Sequence, residues 1–154
     1  MIILGIDPGI ARMGFGVIEE VKLKARAIDY GCIETTKDTP HAERLCILHG
    51  ALTKLIQKYK PERVAVEQLF FSKNVKTALQ VGEARGVIML TCAMEKVPVV
   101  EISPKEVKVA LTGYGQADKP QMQKMIQLIL GLKELPKPDD AADALAIALA
   151  GARL

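Results

Sequence analysis

Three apolar segments of this chain carry acids at one edge. IILGI ends on Asp7, VAV ends on Glu67, and the alanine-rich DDAADALAIALA holds Asp140 and Asp143 near its start. Burying a carboxylate without a partner is costly. A fold that packs these segments into a core must therefore bring their acidic ends to solvent or to a shared counter-charge. Four acids brought together repel one another unless a cation lies between them. Hard oxygen donors with no soft ligand nearby suit Mg²⁺ or Mn²⁺. Several carboxylates are needed to hold two cations ~3.5–4 Å apart around one phosphate. The competing structural reading has Asp7 capping a turn, Glu67 in a surface ion pair and the Asp pair favouring a helix dipole. It leaves unexplained why two strands of one chain end on acids, so the pattern points to metal-dependent phosphoryl chemistry.

The order of elements says where such a site forms. Residues 2–6 read as a buried strand, stopped by Asp7-Pro8-Gly9. GFGVIEE and the run 24–34 continue as strands, giving an antiparallel meander. Leu45, Leu48, Leu52, Leu55, Ile56 and Tyr59 recur at helical spacing until Lys60-Pro61 closes the helix. A strand at 64–66 runs to Glu67, a long helix covers 77–95, and 99–102 is a further strand. Ser103-Pro104 opens a helix, and Asp118 with Gln121 forms a capping box for another through Leu130. Pro136 and Pro138 make a stiff connector, and the last helix begins at Asp139 or Asp140. The order βββαβαβααα predicts an α/β fold: a mixed five-stranded sheet, antiparallel meander plus parallel strands, with helices on both faces. At 154 residues the chain is one domain, 1–154. Sites on such sheets lie beyond the carboxyl ends of parallel strands, where Asp7 and Glu67 fall if their strands are neighbours. Asp140 and Asp143, three apart, share one side of a helix, and the surrounding alanines let that helix approach closely.

Composition narrows the partners. Hydrophobic residues are 49% and charged residues 25%, as in ordinary globular proteins. No stretch approaches the roughly 18 apolar residues of a membrane span, and the N-terminus lacks a signal-peptide pattern, so a cytoplasmic protein with no membrane partner is expected. Cys32, Cys46 and Cys92 show no CxxC or zinc spacing and read as reduced core thiols. His41 and His49 have no third ligand and read as satisfied histidines. A net charge of +3 is mild, but four site acids conceal positive charge elsewhere, which leans towards an anionic polymer. Taken singly, Lys73, Lys76, Arg85, Lys105, Lys108 and Lys119 read as a solvated face, and Lys54, Lys58, Lys60 and Arg63 as solubility.

Two apolar features remain. Phe70 and Phe71 are adjacent and cannot both face inward from an extended segment. One, Phe70 by preference, is expected to be exposed, and a base stacked there is worth ~1–3 kcal/mol. Residues 86–94 are apolar almost all round, whereas a helix lying on one sheet is polar outside. Either another helix of the chain or a second copy must cover it. The preferred reading is a two-fold homodimer through Gly82, Gly86, Val87, Leu90 and Met94, with Ile88 and Met89 adding apolar area.

This arrangement resembles the RuvC family of Holliday junction resolvases, members of the RNase H-like superfamily. The resemblance runs from IILGIDPG through EQLFFSKNVKTALQVGEARGV to DDAADALAIALA, nearly the whole chain. DPG alone is unspecific, since actin-like ATPases share it; EQ-x-F followed by KN, G-x-ARG and the terminal helix are specific. It implies a single RNase H-like nuclease domain that resolves four-way DNA junctions by paired metal-dependent hydrolysis in recombination and repair. A homodimer is implied, with a branch-migration helicase complex as partner. By motif the metal-binding and catalytic quartet falls on Asp7, Glu67, Asp140 and Asp143, with two Mg²⁺ per site expected and Mn²⁺ as a substitute. Asp7 would lie between the two cations. Register selects Asp140 over the neighbouring Asp139, although some relatives have His there. The active-site lysines fall on Lys108 and Lys119, Lys119 counted as catalytic, and the stacking aromatic on Phe70. Phe70, Lys73, Asn74, Lys76, Lys108 and Lys119 make up the expected DNA-contacting set. Other readings are an RNase H-like nuclease acting on RNA or plain duplex, an actin-like ATPase lobe, and a non-catalytic junction-binding module. The length leaves no room for a second ATPase lobe, and the intact quartet argues against a non-catalytic module.

Overall fold

The N-terminal apolar run becomes β1 (Ile2–Asp7), and its residues 3–6 are buried. β2 (Arg12–Val21) returns antiparallel beside it, and β3 (Lys24–Glu34) pairs with β2 at the sheet edge. The chain continues as α1 (His41–Tyr59), β4 (Arg63–Glu67), α2 (Val75–Met94), β5 (Val99–Ile102), α3 (Pro104–Thr112), α4 (Lys119–Leu130) and α5 (Asp139–Gly151). The computed structural model describes residues 1–68 and 74–154. The sheet order is β3-β2-β1-β4-β5, with β1, β4 and β5 parallel. This is the mixed sheet expected from the element order. The parallel centre is buried on both faces, which is why β1 and β4 read as continuous apolar runs. β2 starts earlier than GFGVIEE suggested, at Arg12, because Arg12 and Met13 already pair with Glu34 and Ile33 of β3. α2 starts two residues before Thr77 because Asn74 caps it, accepting a hydrogen bond from the Thr77 amide.

Two cores lie on opposite faces of the sheet. On one, Leu4, Ile6, Met13, Val17, Val64 and Val66 meet Leu48, Leu52 and Ile56 of α1 and Ala84, Ile88 and Cys92 of α2. On the other, Ile3, Ile18, Ala65 and Ile102 meet Val107 and Leu111 of α3, Ile126 and Leu130 of α4, and the buried side of α5. α3 and α4 each begin with a reciprocal capping box, Ser103 with Glu106 and Asp118 with Gln121. Both end on a glycine in the left-handed region, Gly113 at φ 73° and Gly131 at φ 62°.

α5 sits closest to the sheet. From Ala141 to Gly151 every residue except Asp143 is buried. A methyl group placed on Gly5 of β1 would lie 2.1 Å from the Ala144 carbonyl oxygen, and one on Gly16 of β2 would lie 2.7 Å from the Leu145 amide nitrogen. One on Gly14 would lie 2.0 Å from the Asp140 carbonyl oxygen. The helix backbone therefore rests directly on the backbones of β1 and β2, a distance that only glycine on the strands permits.

Some expectations need correction. Cys92 is buried, but Cys32 is only partly covered and Cys46 of α1 is exposed. Cys46 lies on the side of its helix away from the sheet. Arg63 does more than solubilise, since it donates to the Gly151 carbonyl at the end of α5 (3.4 Å). Ile88 is fully buried and belongs to the core, and Val87 is half-buried against it. α1 covers one flank of α2, joined to it by His41–Glu83 (2.6 Å) and His49–Thr91 (2.8 Å). Both histidines are thus satisfied. Leu90 and Met94 stay 59% and 60% exposed, and Gly86 is exposed as well, while Gly82 is half-covered. Among the described residues no helix is long and apolar enough to cross a membrane.

Two glycine substitutions should have opposite effects. Gly5→Ala forces a methyl into the α5 backbone, and overpacking against main chain should cost about 3 kcal/mol or more. Gly50 lies within α1, and a Cβ added there meets nothing within 4 Å. Gly50→Ala should stabilise the protein by about 0.5–1 kcal/mol through helix propensity. Urea unfolding of the two variants against the wild type checks both.

Candidate active site

Asp7 is the last residue of β1 and Glu67 the last of β4, and their preceding residues Ile6 and Val66 are register partners in the parallel pair. The two acids therefore leave adjacent strands at the same end of the sheet. α5 supplies the other two. Its first turn lies over Gly14, the register partner of Asp7. Asp140 is thereby placed beside the end of β1, and Asp143 follows one turn along the same side. Asp143 is the only solvent-exposed residue between Ala141 and Gly151.

The electrostatics show that the four acids share one field. The Asp7 carboxyl is pushed up from 3.8 to about 7, first by burial and then by Asp143, Glu67 and Asp140. Burial and Asp143 raise Glu67. Asp143 is raised chiefly by burial, with Asp139 and Asp140 adding to it and Lys119 opposing. Asp7, Glu67 and Asp143 form no hydrogen bond or ion pair with any described residue. Crowded, partly desolvated acids without donors are what a hard cation would satisfy, so the donor chemistry fits Mg²⁺ or Mn²⁺. Even so, among the described residues no three His, Cys, Asp or Glu side chains are gathered into a ready metal cage.

Basic residues frame the acids. Lys119, the first residue of α4, reaches Asp139 Oδ2 at 2.6 Å and also lowers the Asp7 pKa through its charge. Its own pKa is raised by the bond to Asp139. Lys108 of α3 and Lys119 line a cleft of about 290 Å³ with Glu67 and Asp143, floored by Val107, Met122 and Ile126. The expected lysines thus share a cleft with two of the four acids, and Lys119 also acts on Asp7. Asn74 and the exposed Lys76 sit at the start of α2. Phe70 and Lys73 lie outside the described residues.

Sequence reasoning passed over three participants. Arg12 contacts Asp140 Oδ2 at 3.5 Å and Glu34 at 3.3 Å, bridging β2, β3 and α5. Arg85, read as a solvated residue, is mostly covered and pairs with Glu101 of β5. It lines a second cleft with Asp7 and Glu67. Asp139 pairs with Lys119 and acts on Asp143, but it is absent from the acids that raise Asp7. This geometry supports Asp140 as the fourth member. The doubled Asp139-Asp140 was the available signal, but helical direction alone could not separate the two roles.

Comparison with known proteins follows the same lines. The model of the family "Crossover junction endodeoxyribonuclease RuvC" matches residues 3–151. The protein of that name from Caldicellulosiruptor saccharolyticus is 53% identical over 150 residues, covering 97% of this chain and 90% of the relative. The solved structure of Thermus thermophilus RuvC is similar with a TM-score of 0.91 at 40% identity, covering 99% of this chain and 93% of that one. T. thermophilus RuvC in complex with Holliday junction substrate matches with a TM-score of 0.94 at the same identity and coverage.

The raised Asp7 pKa has a pH signature. The folded state holds this proton more tightly than the unfolded state. Its contribution to stability is therefore complete below the ordinary value of 3.8 and is lost as pH rises through about 7. In chelator, the melting temperature of the wild type should fall as pH rises from about 4 to about 7. Asp7→Asn should fall less and be the more stable protein at the upper end. Mg²⁺ should restore wild-type stability there by binding only the folded state, and thermal scans with and without Mg²⁺ check both.

Proposed function

The chain belongs to the RuvC family of crossover junction endodeoxyribonucleases, and we propose that it resolves four-way DNA junctions by paired, metal-dependent phosphodiester hydrolysis. The observation that carries this reading is the convergence of acids from β1, β4 and α5 on Asp7, with Lys108 and Lys119 alongside. Asp7, Glu67, Asp140 and Asp143 would hold two Mg²⁺, which supply charge neutralisation at the scissile phosphate and activation of water. Asp7 takes the central place because the other three acids all act on it. The Lys119 ammonium lies at the rim, where it offsets charge that develops on phosphate oxygens in the transition state. Lys108 gives the cleft a second positive wall. β1 and β4 hold Asp7 and Glu67 on a rigid sheet, so little side-chain ordering remains to be done when the substrate arrives.

A four-way junction presents equivalent strands, and a two-fold dimer presents two equivalent sites. The outer face of α2 supplies a contact for that dimer. Val75, Leu79, Leu90 and Met94 are 69%, 64%, 59% and 60% exposed, and Gly86 lies between them with open space where a Cβ would be. Spacings of three to four residues place Val75, Leu79, Gly82, Gly86 and Leu90 on one stripe. Apolar area of this kind yields ~25 cal/mol per Å² on burial. The reading also puts the protein in the cytoplasm with chromosomal DNA, acting in recombination and repair. A branch-migration helicase complex is the partner expected from the family.

Two experiments test the reading. Asp7→Asn should abolish cleavage of a synthetic four-way junction in Mg²⁺, while junction binding in chelator stays intact or tightens because one repelling charge is gone. Near-normal cleavage by this variant would sink the mechanism. Leu90→Glu places a carboxylate on the outward stripe. With a native far-UV circular dichroism spectrum it should sediment as a monomer and leave single nicks at reduced rate. A folded variant that stays dimeric would move the interface elsewhere.

A further inference from the structure

Asp139 and Lys119 open two different helices and meet at 2.6 Å between Nζ and Oδ2. Both side chains are more than half exposed, at 63% and 55%. Exposed pairs contribute little to stability, so this one calls for another explanation. The backbone at Lys119 is held by the Asp118–Gln121 capping box, with Pro120 following it. Only the side chain has freedom. Its ammonium acts electrostatically on Asp7 and Asp143, and Asp140 and Asp143 act on it. Without Asp139, the nearest strong attraction for the lysine would be the quartet itself, and an ammonium there would compete with divalent cations.

We propose that Asp139 is a positioning residue that holds the Lys119 ammonium at the rim of the acidic cluster, outside the cation positions and within reach of the substrate phosphate. Asp139 touches neither substrate nor metal in this role and acts only through Lys119. The inference rests on the proposed function, since the phosphate to be met belongs to the DNA strand. Its electrostatic half concerns the metal-binding step alone and can be read without cleavage. Neighbouring Asp140 faces Arg12, so the two adjacent acids of α5 have separate tasks: one serves the quartet, the other fixes its lysine.

Mn²⁺ affinity of the full-length protein, measured calorimetrically without DNA, gives the first readout. Asp139→Asn should weaken Mn²⁺ binding about tenfold as Lys119 swings onto the quartet. Asp139→Glu, which keeps the pair, should recover most of it. In a Lys119→Met background the same Asp139→Asn change should alter affinity by less than about twofold, because the competing ammonium is gone. Junction cleavage by Asp139→Asn at saturating Mg²⁺ should drop roughly tenfold in kcat with KM little changed, because the lysine is displaced from the phosphate. Melting temperatures should stay at the wild-type value, as for any exposed pair. Wild-type Mn²⁺ affinity in Asp139→Asn would overturn the proposal. So would an equal loss in the Lys119→Met background, which would make Asp139 a ligand in its own right. If the wild type bound Mn²⁺ with the expected coupling but cleaved no junction, the functional reading alone would fall.

Discussion

The contact on which the rest of this structure depends is backbone on backbone, with α5 seated on Gly5, Gly14 and Gly16 of β1 and β2. Helices usually ride on a sheet at a distance set by interlocking side chains. Here glycine faces the helix backbone, so the helix comes nearer than any strand side chain would permit. The first turn of α5 thereby sits over Gly14, beside Asp7, and the second brings Asp143 to the same edge. A methyl at any of the three glycines would displace the acids together with the helix. Packing and chemistry therefore depend on one contact, and the loss of side-chain burial that glycine entails is offset by the placement of two carboxylates.

That placement has an electrostatic cost. Asp7 lies in the field of three other acids and in a partly dry environment, and its proton affinity rises accordingly. A domain selected only for stability would neutralise such a group with a lysine or remove it. This one keeps its cations at a short remove: Arg12 on Asp140, Lys119 on Asp139 and Arg85 on Glu101. Each of these is answered by an acid other than Asp7, Glu67 or Asp143. Among the described residues the three central carboxylates have no ion-pair partner, and crowded acids with raised proton affinity are a familiar mark of function.

Much of this could be read from the sequence. The runs IILGI and VAV carry enough β-branched and leucine residues to be buried strands, and each ends in an acid. The Ser103-Pro104 pair and the Asp118–Gln121 box place the starts of α3 and α4 to the residue. What could not be read has a common cause. Arg12, Arg85 and Asp139 owe their roles to partners far along the chain, and a charged residue in isolation looks like solvated surface. Cys46 misled for the opposite reason: cysteine is usually buried, but this one falls on the outward side of α1. Ile88 and Leu90 belong to one apolar run, yet one lies in the core and the other in solvent, because two residues along a helix turn through about 200°.

The sequence by itself determined the element order, the starts of α3 and α4, and the acids that end β1 and β4, because these follow from local patterns: apolar runs and capping residues. Only the tertiary structure decided that β1 and β4 are neighbours, that α5 lies against Gly14, and that Asp140 meets Arg12 while Asp139 meets Lys119. Those outcomes depend on the distance and direction between segments that are well separated along the chain. Local propensity carries no information about such distances, and the packing of α5 against the sheet sets them.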